Sequence, residues 1–292
     1  SDGIASTTAT VTITVNAGNL ISGTSSSERL VGTSGADVFY GFGGSDRLEG
    51  GAGDDRYVFG RGDGRDVIRD DATETTTSQV WVRSGYTRST PNYDTWIDTS
   101  HWESRTTVVE ADGGDDTLAF GLGIGLGDVA LRFSGSDLLI GLVDPSSPDT
   151  TFGSLSDLVR GESWSDGYDR VESLRFSDGR EVDISDLTGA QEALGSAGVT
   201  LVGGAGEDWL AGGSGDDVLV GAGGDDVLVG GGGEDTARYG GVFADYTVTL
   251  GGSVATVSGA EGTDLLAGVE LLSFSDFTVF ADGRNNAPEA LG

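Results

Sequence analysis

Between residues 202 and 241 apolar side chains recur with a period of nine. Leu210, Leu219, Leu228 and Ala237 each follow an aspartate by two residues, the aspartates being Asp208, Asp217, Asp226 and Asp235, and glycine fills most of the space between. An earlier stretch repeats the phase, with Phe39, Leu48 and Tyr57 behind Asp37, Asp46 and Asp55, and with Glu28 in the acidic place of the unit before them. One inward apolar residue per nine predicts a very short strand joined to a tight turn. Two such units make one coil, and stacked coils make a parallel β-roll. The expected fold is therefore all-β: a parallel β-roll in two arrays, with a strand-rich intervening region and a C-terminal cap.

Elsewhere the periodicity changes. Thr117 to Phe120 alternates as a strand, and "DVALRFSG" with "DLLIGLVD" predicts a pair of strands turning around Ser134 to Ser136. "TFGSLSDLVRGESW" suggests a short helix opened by Ser154 or Ser156, and residues 183–195 another, stopped at Gly195, with Leu187 and Leu194 packed on the roll. The chain divides accordingly: 1–19, the end of a β-sandwich module or a linker; 20–70, the first array; 71–111, an insertion rich in aromatic residues and arginine; 112–198, a β region with short helices; 199–240, the second array; 241–284, a β-rich cap; 285–292, a linker.

In each unit glycines permit backbone angles closed to other residues and leave carbonyls facing the turn. The aspartate at position six adds a carboxylate. Units two apart stack, which brings Asp208 to Asp226, Asp217 to Asp235, Asp37 to Asp55 and, more weakly, Glu28 to Asp46. Such pairs repel one another unless a cation lies between them. Calcium, which takes six to eight oxygen ligands, fits that need. Continuing the period past Val58 puts Gly64 at position six and Asp66 two residues late, so a ligand role for Asp66 requires an irregular turn. Asp264, in "EGTDLLAGVE", lacks the glycine pair and is expected to cap a turn.

Composition sharpens this reading. With a net charge of −32 and no cysteine, the chain is an improbable partner for nucleic acid or an anionic membrane. Neither disulfides nor thiolate sites can staple it, which leaves a hard, oxygen-seeking ion. No apolar run reaches the length of a membrane span.

The two arrays resemble the RTX, or haemolysin-type, calcium-binding family of bacterial secreted proteins, and "YVFGRGDGRDVIRD", residues 112–142 and "VESLRFSDGREVD" resemble the related domain that accompanies such repeats. The resemblance implies type I secretion, folding on meeting extracellular calcium, and several bound ions. Carried over position by position, it implies acidic ligands at Asp37, Asp46, Asp55, Asp208, Asp217, Asp226 and Asp235, with Glu28 and Asp66 as secondary candidates. It implies carbonyl ligands at residues such as Gly203, Ala205, Gly221 and Gly223. "STTATVTITV" and "NNAPEALG" resemble the edges of modules in large surface adhesins, which places the segment at the bacterial cell surface.

Residues 79–110 are least explained by a roll. They hold Trp81, Arg83, Tyr86, Arg88, Tyr93, Trp96 and Trp102, besides Arg105 and the lone histidine, His101. These side chains suit a satellite core, or a site gripping extracellular polysaccharide or a surface protein. One imidazole without companions does not make a metal site. Acidic pairs such as Asp54–Asp55 and Asp115–Asp116 lack a demonstrable cleft geometry. The chain shows no HExxH, GxSxG or phosphate-loop motif. A non-catalytic, calcium-folded adhesin segment is the expectation, with a binding module and an accessory part of a polysaccharide-processing enzyme as alternatives.

Overall fold

The computed structural model describes residues 18–82, 85–89, 94–99, 101–144, 151–166, 170–281 and 289–290. Each regular nonapeptide forms a turn and a strand of three or four residues, and in the three-residue strands Val38–Tyr40, Arg47–Glu49 and Val218–Val220 the middle residue points inward. Partners along a sheet lie one coil apart: Phe39 pairs with Ile21 and with Tyr57, and Leu219 with Leu201. The strands run parallel, so the predicted roll is the observed architecture.

In the first roll one sheet stacks Leu20–Ser22, Val38–Tyr40, Arg56–Phe59, Thr117–Phe120 and Ser173–Arg175 in parallel and closes with antiparallel Glu181–Asp183. The facing sheet stacks Arg29–Val31, Arg47–Glu49, Arg65–Arg69 and Leu158–Gly161, then the hairpin Asp137–Leu142 with Val129–Ser134. The second roll pairs a sheet begun by Gly189–Glu192, Asp208–Ala211, Val227–Val229 and Gly262–Ala267 with one begun by Thr200–Val202, Val218–Val220, Thr236–Arg238 and Leu271–Ser273. Antiparallel strands end both sheets, Val254–Gly259 and Thr247–Gly251 on one, Phe277–Phe280 and Glu289–Ala290 on the other. They take up hydrogen bonds a bare parallel edge would leave open.

The interior is a ladder of like positions. Phe39, Tyr57, Leu118 and Leu174 lie in register and are fully buried, with the Phe39 and Tyr57 rings stacked at 5.1 Å. Leu48 and Ile68 face them. In the second roll Leu210, Leu228 and Leu266 face Leu219, Ala237 and Leu272. Here one sheet is apolar on both sides: Trp209, Ala211, Val227 and Val229 point away from their own roll and join the core of the first half. A strand buried on both faces reads as a continuous apolar run, and this contact fixes the two rolls to one another. Arg132 and Glu192 form an ion pair at its edge, 3.2 Å apart.

Two expected helices are absent. Residues 152–166 form 3₁₀ turns at Phe152–Ser154 and Trp164–Asp166 around the strand Leu158–Gly161. In 183–195, Gly189–Glu192 is a strand paired with Asp208–Ala211. Both segments meet an open parallel edge, and the sheet bonds there outweigh the weak preference of a helix too short to be stable alone. Leu187 and Leu194 are nonetheless buried in the core. The strands at Thr117–Phe120 and around Ser134–Ser136 are where the periodicity put them, with Gly135 turning the hairpin at φ +68.

Residues 71–112 leave the roll as a two-stranded antiparallel ribbon, Asp71–Val82 against His101–Asp112, with 12 residues in each strand. At strand rise it is about 40 Å long. A second pair, Gly85–Ser89 with Asp94–Asp98, follows within it. Arg83 and Tyr93 lie outside the described residues, as do 1–17 and most of 285–292. Among the described residues no helix is long and apolar enough to cross a membrane.

Candidate metal centre

The acids of the repeat are held in four columns. In the first, the Asp37 N–H donates to Asp55 Oδ1 at 2.7 Å and the Asp55 N–H to Asp116 Oδ1 at 2.6 Å; the Asp116 N–H donates to Glu172 Oε2 at 2.7 Å. The second joins Glu28 to Asp46 and Asp46 to Asp66, at 2.8 and 2.9 Å. The third runs Val199, Asp217, Asp235, Glu270, at 2.8, 2.7 and 2.9 Å. The fourth runs Asp208, Asp226, Asp264, at 2.9 and 3.2 Å. Each acid below the head of its column thus uses one oxygen to tie its coil to the preceding one.

The other oxygen behaves in two ways. On the first acid of a column it caps its own turn: Thr24 N–H donates to Glu28 Oε2 at 2.8 Å, Thr33 N–H to Asp37 Oδ2 at 2.5 Å, Gly204 N–H to Asp208 Oδ2 at 2.5 Å and Gly213 N–H to Asp217 Oδ2 at 2.8 Å. On acids inside a column it has no donor. Oδ2 of Asp46, Asp55, Asp116, Asp226 and Asp235 is buried and receives no hydrogen bond. Buried carboxylate oxygens without a partner are strongly unfavourable. Burial, the largest cause, pushes the carboxyls of Asp55, Asp66, Asp226 and Asp235 up to about 7 and Asp264 to about 6.

The first glycine of the unit leaves the space these oxygens face. A Cβ on Gly203 would lie 2.5 Å from the Gly221 carbonyl oxygen and 2.6 Å from Asp208 Oδ2, and one on Gly221 would collide with Asp226 Oδ2. Ala205 and Gly223 stack in the same turns. The fourth glycine supplies a different need, since Gly53, Gly224 and Gly233 stand at φ +112, +117 and +118. Orphaned carboxylate oxygens, a turn carbonyl and a cradle open only to glycine form an all-oxygen donor set. That set fits calcium.

The seven repeat aspartates named from the sequence are all buried in these columns. Asp66 stands directly under Asp46, because a two-residue enlargement of its turn is tied down by Asp157, whose Oδ1 accepts the Gly62 and Gly64 N–H groups at 2.9 and 3.1 Å. Asp264 was expected to cap a turn but occupies the column beneath Asp226. Asp116, Glu172 and Glu270 went unread as column members, for they lie at separations of 61, 56 and 35 residues from the coil above. For Asp116 the preceding "GGD" was the available signal.

The ribbon register sets Trp102 opposite Trp81, and Thr87 opposite Trp96 in the second pair, with Tyr86 and Arg88 on its other strand. Trp102 is 62% exposed. His101 is exposed and sits 3.0 Å from Glu103.

The fold and columns define a class: β-solenoids whose turns are built to hold cations between stacked carboxylates. Within it, residues 22–57 and 202–237 match, in four copies, the RTX calcium-binding nonapeptide repeat. These stretches are RTX repeats, and such repeats typify secreted bacterial proteins. No curated protein matches the chain. Among solved structures it is similar to the extracellular lipase LipA from Serratia marcescens, at 18% identity over 84% of this chain and 38% of that one, with a TM-score of 0.26. The chain spans 38% of that lipase's length, and a likeness so low bears on neither activity nor partners.

Proposed function

We propose that this chain is a calcium-folded, non-catalytic structural segment of a large secreted bacterial adhesin, exported unfolded by a type I system and rigidified outside the cell. The observation that carries the reading is the set of buried carboxylate oxygens left without donors inside every column. A chain of net charge −32 that stacks carboxylates on carboxylates is self-repelling without cations, and metal binding then becomes folding free energy. Asp37, Asp46, Asp55, Asp66, Asp208, Asp217, Asp226, Asp235 and Asp264 would hold the ions, aided by carbonyls such as that of Gly221. The ions would supply positive charge, and the chain supplies the register. Adhesin context rests on the resemblance of the chain's two ends to adhesin modules.

The test is circular dichroism and small-angle scattering over a calcium titration. We predict a cooperative collapse to β structure, with magnesium substituting poorly because it prefers a tighter octahedral shell. A chain already compact in chelator would refute the reading.

A second reading, in which the ribbon binds a polysaccharide or surface protein, is favoured by the exposure of Trp102 on an element that leaves the roll. A polysaccharide panel tests it with calcium-loaded protein, Trp96→Ala and Trp102→Ala. Selective binding lost in either variant supports the reading, and a blank panel with folded protein removes polysaccharide as the ligand.

A further inference from the structure

The ribbon grows out of a turn, and that turn is unlike the others. Glu49 is in register with Arg69, so Asp70 takes the place that Gly50 holds one coil earlier and Gly32 before that. Farther along the same turn the Gly53 N–H donates to the Gly113 carbonyl at 2.5 Å, and the Asp115 N–H to Asp54 Oδ1 at 3.2 Å. Gly113 and Asp115 therefore continue the turn that Asp70 opened. The whole ribbon, from Asp71 to its register partner Asp112, is inserted after the first position.

Replacing glycine by aspartate there brings a third carboxylate into the turn. One carboxylate oxygen from each of Asp55, Asp70 and Asp116 lies within 4.8 Å of the others, and all three residues are buried. Oδ2 of Asp55 and Oδ2 of Asp116 have no hydrogen-bond donor although they are 1% and 0% exposed as residues. No arginine pairs with Asp55 or Asp116 among the described residues. The Tyr57 hydroxyl donates into the group, 2.5 Å from Asp70 Oδ1. Glycines line it, since a Cβ on Gly50 would collide with Asp70 Oδ1 and Asp55 Oδ2, and one on Gly113 with Asp70 Oδ2.

We infer that Asp55, Asp70 and Asp116 form a divalent-cation site distinct in composition from the repeat sites, and that the ion in it locks the root of the ribbon to the roll. Three ionised carboxylates at this separation repel strongly in a buried setting. An all-oxygen donor set of this charge selects a hard ion of calcium's kind. Because Asp70 and Asp116 flank the insertion on its two sides, the ion closes a clasp across it. Ribbon orientation becomes calcium-dependent. The inference rests on the calcium reading above for the kind of ion, and goes beyond it in adding Asp70 and Asp116, which lie outside the matched repeats, to the surroundings of Asp55 and in giving that site a mechanical role.

The test uses the full calcium-loaded chain. Bound calcium is counted by native mass spectrometry and affinities by titration, for the parent and for Asp70→Asn. Hydrogen exchange is followed at the ribbon stem and at Asp208–Arg238. Asp70→Asn is expected to weaken one ion at least tenfold and to speed stem exchange at least tenfold at subsaturating calcium, leaving 208–238 protected. Identical ion count, affinity and stem exchange would overturn the site, and would mean that the carboxylates share a proton instead. Should Asp70→Asn fail to fold, Tyr57→Phe keeps all three carboxylates. Tyrosine-sensitised terbium luminescence is then expected to drop at unchanged ion count, and undiminished luminescence overturns the site. Calcium uptake at the repeats with a silent Asp70→Asn refutes only this site, whereas no uptake anywhere refutes the scaffold reading itself.

Discussion

Asp217→Asn separates a ligand from a merely acidic surface. Asp217 is fully buried and spends both oxygens on backbone donors: Val199 N–H on Oδ1 and Gly213 N–H on Oδ2, each at 2.8 Å. Its own N–H is held by Asp235 Oδ1 at 2.7 Å, so the residue is pinned from three sides. An asparagine has one acceptor oxygen, and its amide turns two donors toward the remaining backbone N–H. Leaving one buried donor unsatisfied costs about 1–3 kcal/mol. The loss of a formal charge from the cation's surroundings adds to that. Taking about 2 kcal/mol as the effect, the calcium midpoint would rise roughly 30-fold if one ion were coupled to folding, or about twofold if four were. A calcium titration by circular dichroism reads this shift directly. Asp216→Asn is the control: Asp216 is exposed and accepts a single N–H, from Glu234 at 2.9 Å. It should move the midpoint little. Equal midpoints for parent and Asp217→Asn would refute the assignment, and equal shifts for the two variants would reduce it to net charge.

Acid should partly substitute for calcium. Asp55, Asp66, Asp226 and Asp235 are raised to about 7 in the ion-free fold by burial, against about 3.9 in an unfolded chain. Their contribution to ion-free stability is therefore fully present below about pH 4 and lost as pH rises through 7. Ion-free protein should gain β structure from pH 8 to 5 and release protons on calcium binding at pH 7, and β structure lost on that acidification would contradict the sign. Leu219→Ala removes a fully buried rung of the second roll and should lower the denaturation free energy of calcium-loaded protein by about 2–5 kcal/mol; Val202→Ala, at a half-exposed position, should change it by less than about 0.5 kcal/mol. Gly224→Ala forces a Cβ onto a residue at φ +117 and against Gly206, so it should raise the calcium midpoint more than Gly153→Ala, which meets open space.

Much of this molecule is written locally. The nine-residue phase of glycine, acid and apolar residue determined the short strand, the turn, the inward rung and the parallel stack, because every one of those features is set within one unit and its copy 18 residues on. Phe39, Tyr57, Leu219 and Leu228 were legible as core for that reason, and so were the buried aspartates. What tertiary structure alone decided involves partners that the period does not index. Leu158–Gly161 and Gly189–Glu192 became strands because an open parallel edge offered hydrogen bonds that a short helix could not match. Trp209 and Val227 turned from outward residues into core only when the second roll met the first. Asp66, Asp116 and Asp264 entered the columns because space, not spacing, places an acid beneath the coil above: an enlarged turn, an inserted ribbon and an inserted hairpin each shift the count in sequence while preserving the stack. The repeat dictates a coil, and the stacking of coils, with the charge it concentrates, decides which other residues serve it.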